Sequence, residues 1–175
     1  QILARLHHPN VARLLDGGVT EDGAPYLSME YVEGEKITDY CDRLALGVSA
    51  RLELVIQVCE AVHSAHRQLV VHRDLKPSNI MVDADGDVKL LDFGIAKMLE
   101  PDQSHDAPLT RTGTYLLTPE YASPEQVSGD PIGTSSDVYA IGLVIYRLLT
   151  GIPGQPVATL SPAGINQAVC HTAAK

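Results

Sequence analysis

Apolar positions in this 175-residue chain form short runs in its first third and around residue 85, and two long stripes of helical spacing elsewhere. Residues 1–6 predict the tail of a helix, ended by a turn at His7-His8-Pro9-Asn10 because proline removes a backbone donor. Residues 11–15 and 26–32 predict strands, joined through Gly17-Gly18 and Asp22-Gly23. Between 50 and 68, Leu52, Val55, Ile56, Cys59, Val62 and Ala65 recur at helical intervals, predicting a helix that turns this stripe to a core. Residues 80–82 and 88–91 predict two short strands around Asp83-Ala84-Asp85-Gly86-Asp87, a hairpin in which Gly86 supplies a positive φ. Residues 136–150 are apolar almost all round, which predicts a buried central helix. Beyond Thr150 the breakers in Gly151-Ile152-Pro153-Gly154 and Ser161-Pro162-Ala163-Gly164 predict a mobile tail, ending in a short helix over 167–175.

The segment joining the first long helix to the hairpin carries the chemistry: Val71-His72-Arg73-Asp74-Leu75-Lys76-Pro77-Ser78-Asn79, with Asp92-Phe93-Gly94 following the hairpin. Taken singly, an Asp-Phe-Gly at a strand end marks only a turn. In this order, with a hairpin between them, the two motifs resemble the catalytic loop and metal-binding motif of protein kinases. Phosphoryl transfer from ATP needs an in-line acceptor hydroxyl and cations that neutralise the moving phosphate. The resemblance implies that Asp74 is the catalytic base, that Asn79 and Asp92 supply oxygen ligands to Mg2+, and that Lys76 adds positive charge beside the phosphate.

Downstream, Tyr121-Ala122-Ser123-Pro124-Glu125-Gln126 is similar to the Ser-Pro-Glu variant found in eukaryotic-like serine/threonine kinases of bacteria. Lys76, two residues after Asp74, and Thr118, seven before Glu125, favour serine or threonine over tyrosine as acceptor by the same resemblance. Residues between Asp92 and Glu125 resemble an activation segment. An arginine beside the catalytic aspartate, once buried, needs an anionic partner, so phosphorylation of Thr110 or Thr112, or of Thr114, is expected to pair with Arg73. Met29-Glu30-Tyr31-Val32 resembles the hinge between kinase lobes, implying Met29 as gatekeeper, backbone hydrogen bonds from Glu30 and Val32 to adenine, and Met81 packed under the ring. The resemblance further implies that Asp137 holds the catalytic-loop backbone, and that Leu3, Leu14, Phe93 and His72 stack as a structural spine. Read without the resemblance, Asp137 is a helix-start carboxylate and both methionines are core residues.

The fold implied is α+β and protein-kinase-like, a partial domain with residues 1–32 as the remnant of the smaller lobe and hinge and residues 33–175 as an incomplete helical lobe. No G-x-G-x-x-G occurs and no lysine precedes Lys36, so the phosphate-covering loop and strand lysine of the family are expected outside these residues. The 175 residues alone are therefore expected to be inactive. Two alternatives stay open: a regulatory pseudokinase acting as a binding module, and a small-molecule phosphotransferase of related fold.

Composition narrows the partners. With 45% apolar residues the chain can bury one core, and its net charge of -9 disfavours nucleic acid without opposing magnesium-bound ATP. Three scattered cysteines lack metal-ligand spacing, which predicts reduced thiols in the cytoplasm. No apolar run reaches the length of a membrane span, although the resemblance allows a parent chain anchored in the inner membrane. The expected partners are thus ATP with Mg2+ and a protein carrying a serine or threonine acceptor.

Overall fold

The computed structural model describes residues 6–93 and 118–172, as an α+β chain that divides into two compact units. Among the described residues the first comprises 6–72 and 77–93, the second 73–76 and 118–172. Leu3, Thr110, Thr112 and Thr114 lie outside the described residues.

The first unit opens with two antiparallel strands, β1 (Leu14–Val19) and β2 (Pro25–Met29). Both differ from the sequence expectation, because Asp16-Gly17-Gly18 continues β1 rather than turning. The reversal waits for Thr20, whose backbone N–H and hydroxyl both bond the Ala24 carbonyl, at 2.8 and 3.0 Å. Val11 enters no strand and makes only an isolated parallel bridge to Leu90. A second sheet has the order β3 (Gly34–Lys36), β4 (Ile80–Asp83), β5 (Val88–Leu90), all antiparallel. β3 has no apolar pattern to announce it. Gly34 is required there, since a Cβ would stand 2.3 Å from the Val82 carbonyl oxygen. The β4–β5 turn is closed by the Asp83 carboxylate, which accepts from the backbone N–H groups of Asp85 and Asp87, and by Gly86 at φ +87°.

Helix α1 (Ile37–Arg43) lies against β3 and β4, burying Ile37 and Cys41 one turn apart. Helix α2 (Val48–His66) lies against β5 and buries Leu54, Val55, Val58, Ala61, Val62 and Ala65. Leu52, Ile56 and Cys59 were expected on that face but are exposed, Ile56 by 57%. Asn10 ties the entry turn down: its amide donates to the Gln57 side chain and the Val88 carbonyl, each at 2.9 Å.

The chain leaves α2 through a Schellman turn, with Val70 N–H bonding the Ala65 carbonyl and Leu69 N–H that of His66. Leu69 occupies the left-handed position, φ +61°, where glycine is usual, and it is 92% exposed. Leu69→Gly therefore removes strain without removing packing. Allowing for the greater chain entropy of glycine, a gain of about 0.5–1 kcal/mol is expected, seen as a rise of roughly 1–4 °C in melting temperature. An unchanged or lower melting temperature would contradict it.

In the second unit, α4 (Thr134–Thr150) is the long element, with α3 (Pro124–Ser128) and α5 (Pro162–His171) packed together beside it in sequence. α4 buries Ser136, Asp137, Ala140, Leu143, Val144 and Leu148. It is not buried all round: Val138 is 63% exposed and Leu149 is exposed as well. α5 starts five residues before the expected short helix, because Ser161 caps it through its hydroxyl and Pro162 suits a first helical position. Among the described residues no helix is long and apolar enough to cross a membrane.

Candidate active site

The catalytic-loop residues fall on both sides of the unit boundary. In the second unit, Arg73 has the left-handed backbone value φ +69°, a conformation that costs a non-glycine residue unless its surroundings hold it. They do so here. The Asp137 carboxylate, 1% exposed in the first turn of α4, accepts the Arg73 N–H at 2.9 Å. On the next residue, the Asp74 carboxylate sits 2.8 Å from Lys76 Nζ, and the same ammonium donates to Thr118 Oγ1 at 3.1 Å. Lys76 is thus fixed between a carboxylate and a hydroxyl, while the Asp74 side chain stays 36% exposed and open to a reactant. Leu75 is buried and anchors the loop between these two polar residues.

The Ser-Pro-Glu-Gln turn starts α3 with a capping box, in which Ser123 and Gln126 satisfy each other's free groups. The Glu125 carboxylate accepts hydrogen bonds from Ser136 and, at 3.5 Å, Ser135 on α4. Burial works to raise its pKa, but these hydroxyls, Ser123 and its own backbone outweigh that and lower it below its ordinary 4.5. No local sequence pattern announces Ser136 in this role.

In the first unit, Asn79 ends a single 3-10 turn, Pro77–Asn79, and is buried. Its carbonyl accepts the Leu91 N–H at 2.9 Å, which ties the start of β4 to the residue before Asp92. Asp92 is exposed and also left-handed, φ +53°, a region that aspartate tolerates better than most residues. Phe93 is buried against His72, ring centres 4.5 Å apart, and His72 Nε2 lies 2.9 Å from the Leu91 carbonyl oxygen. Leu14, Met29, Asp92 and Phe93 line a cavity of about 20 Å³, room for a water but not a purine. Met81 is half-buried on β4. The hinge-like segment is anchored at its start: Glu30 N–H donates to the Arg13 carbonyl at 2.8 Å, and the Glu30 carboxylate accepts Arg13 N–H at 3.1 Å. Tyr31 and Val32 follow with no strand partner.

Oxygen donors on an exposed aspartate and an asparagine suit a hard cation such as Mg2+ better than a soft one. No group of three or more His, Cys, Asp or Glu side chains able to hold a metal occurs among the described residues. All three cysteines are free, and burial raises the thiol of Cys41 above its ordinary pKa.

The chain belongs to the protein kinase domain family, whose model matches residues 1–169. Within it the chain is 45% identical over 155 residues to the serine/threonine-protein kinase pkn3 of Myxococcus xanthus, covering 85% of this chain and 28% of that protein. It is 38% identical over 157 residues to the serine/threonine-protein kinase PknB of Mycobacterium leprae, covering 87% and 25%. A probable serine/threonine-protein kinase PknB of Lactococcus lactis is 39% identical over 150 residues, covering 85% and 23%. The chain thus spans about a quarter of the length of these curated relatives.

Proposed function

We propose that this chain is part of the catalytic domain of a protein kinase that transfers the γ-phosphate of ATP to serine or threonine hydroxyls of a protein. Residues 1–32 contribute the end of the smaller lobe and the hinge, and residues 33–175 part of the helical lobe. The observation that carries this is the Asp74–Lys76–Thr118 set. A carboxylate partly open to solvent can accept the proton of an incoming hydroxyl, and an ammonium fixed beside it can draw charge from the phosphate in flight.

In this reading Asp74 orients the acceptor hydroxyl and takes its proton, and Lys76 stabilises the transferring phosphoryl oxygens. Thr118 keeps Lys76 beside Asp74. Asn79 and Asp92 would hold Mg2+, which would supply positive charge that neutralises the phosphates during transfer. The left-handed backbone of Asp92 leaves its carboxylate exposed for that purpose, with Phe93 and His72 packed behind it. Adenine bonds the backbone of Glu30, through its carbonyl because its N–H is held by Arg13, and the backbone of Val32, while Met29 closes the rear of the pocket and Met81 packs under the ring. Phosphorylation of Thr110, Thr112 or Thr114 would give Arg73 an anionic partner.

The test is phosphotransfer from labelled ATP by the full-length protein, with and without chelation of magnesium, followed by phosphoamino-acid analysis. Magnesium-dependent phosphoserine or phosphothreonine is expected. Failure to transfer, with nucleotide binding retained, would favour a binding module instead, and label confined to a small molecule would favour the related phosphotransferases.

A further inference from the structure

The hydrogen bonds of Gln126 exceed what a helix cap needs. Its side chain is 6% exposed, and its Oε1 accepts from Ser123 N–H at 3.0 Å and Ser123 Oγ at 3.2 Å, which completes the cap of α3. A glutamate would do that equally well. The other half of the amide does something a glutamate cannot: Nε2 donates to the backbone carbonyl of Arg73 at 2.6 Å. That carbonyl belongs to the peptide unit whose N–H is on Asp74. With Arg73 N–H held by Asp137 and Arg73 C=O held by Gln126, both peptide planes around the left-handed Arg73 are fixed, and with them the point from which the Asp74 side chain departs. A rotation of one peptide plane would swing Asp74 away from Lys76. The segment 118–126 is therefore fastened to the catalytic loop at two points, Thr118 to Lys76 and Gln126 to Arg73.

We propose that Gln126 is a positioning residue for the Asp74 carboxylate, coupling the turn after Thr118 to the geometry of the catalytic base; this rests on the reading of Asp74 given above. Gln126→Glu in the full-length protein keeps the cap acceptor and removes the donor. It is expected to lower kcat between about 10- and 100-fold, the cost of a base displaced by about an ångström, with KM for ATP unchanged. Ser123→Ala weakens the cap but leaves the donor, so it should lower the melting temperature and retain kcat. In an Asp74→Asn background Gln126→Glu should have no further effect, because the residue it positions is no longer a base. Should Gln126→Glu fail to fold, Gln126→Met, similar in size and without the donor, takes its place with the same expected result. The proposal is overturned by a kcat within about twofold of wild type, by an equal loss in Ser123→Ala, or by a loss that persists undiminished beside Asp74→Asn. If Asp74→Asn itself transfers phosphate normally, the assignment of the base fails rather than the tether alone.

Discussion

Asp74→Asn in the full-length protein is expected to lower kcat by about 10³-fold, the usual worth of a well-placed general base, while KM for ATP changes little. Asparagine preserves the shape of the side chain and can still accept from Lys76, now 2.8 Å from the carboxylate. What it loses is the ability to take a proton and the negative charge that holds the ammonium. The melting temperature should stay within a degree or two, because an ion pair between partly exposed groups contributes only about 0–1 kcal/mol to stability. Transfer to peptide followed under saturating ATP, alongside a melting curve, separates the two effects. A kcat near that of wild type would remove Asp74 from the mechanism. A large loss of stability would mean the carboxylate serves the loop's structure instead.

The residues around Asp74 were legible because their spacing is itself the signal: a short loop, a hairpin and a turn put Asp74, Lys76, Asn79 and Asp92 in fixed order along the chain. Packing was less legible. α2 carries apolar residues on more than one side, so periodicity admits two phases, one through Leu52, Ile56 and Cys59 and another through Leu54, Val58 and Ala61. Only the position of β5 chooses the second. β3 consists of Gly-Glu-Lys and owes its existence to backbone pairing with β4, which no side-chain pattern encodes. Asp16-Gly17-Gly18 reads as a turn by composition, yet pairing with Tyr26, Leu27 and Ser28 extends the strand through it. Gln126 shows a subtler limit. The pattern Ser-x-x-Gln announces a helix start, but its second bond reaches a residue 53 positions earlier, and no local pattern carries that.

Asp137→Ala is expected to damage both stability and catalysis, and the pairing of the two losses separates its possible roles. A carboxylate in the first turn of α4 acting only on the helix dipole would contribute about 0.3–1 kcal/mol, and its removal would leave kcat unchanged. The structure gives it another task, since its Oδ1 is the acceptor for Arg73 N–H in a site where the side chain is 1% exposed. Without it, a part-buried backbone donor loses its acceptor, at a residue whose φ of +69° needs outside support. An unsatisfied buried donor costs about 1–3 kcal/mol, and the strained turn adds to this as the loop relaxes. The expected result is a loss of about 2–4 kcal/mol by urea unfolding, with kcat reduced at least tenfold at temperatures where the variant is fully folded. Asp137→Asn retains a carbonyl acceptor and should recover most of the stability and part of the rate. If both variants cost less than about 1 kcal/mol and neither alters kcat, the dipole role alone suffices. If stability falls and kcat of the folded enzyme does not, then the Asp137 bond shapes the second unit without setting the position of Asp74, and the Gln126 bond on the other side of Arg73 is sufficient to hold the loop.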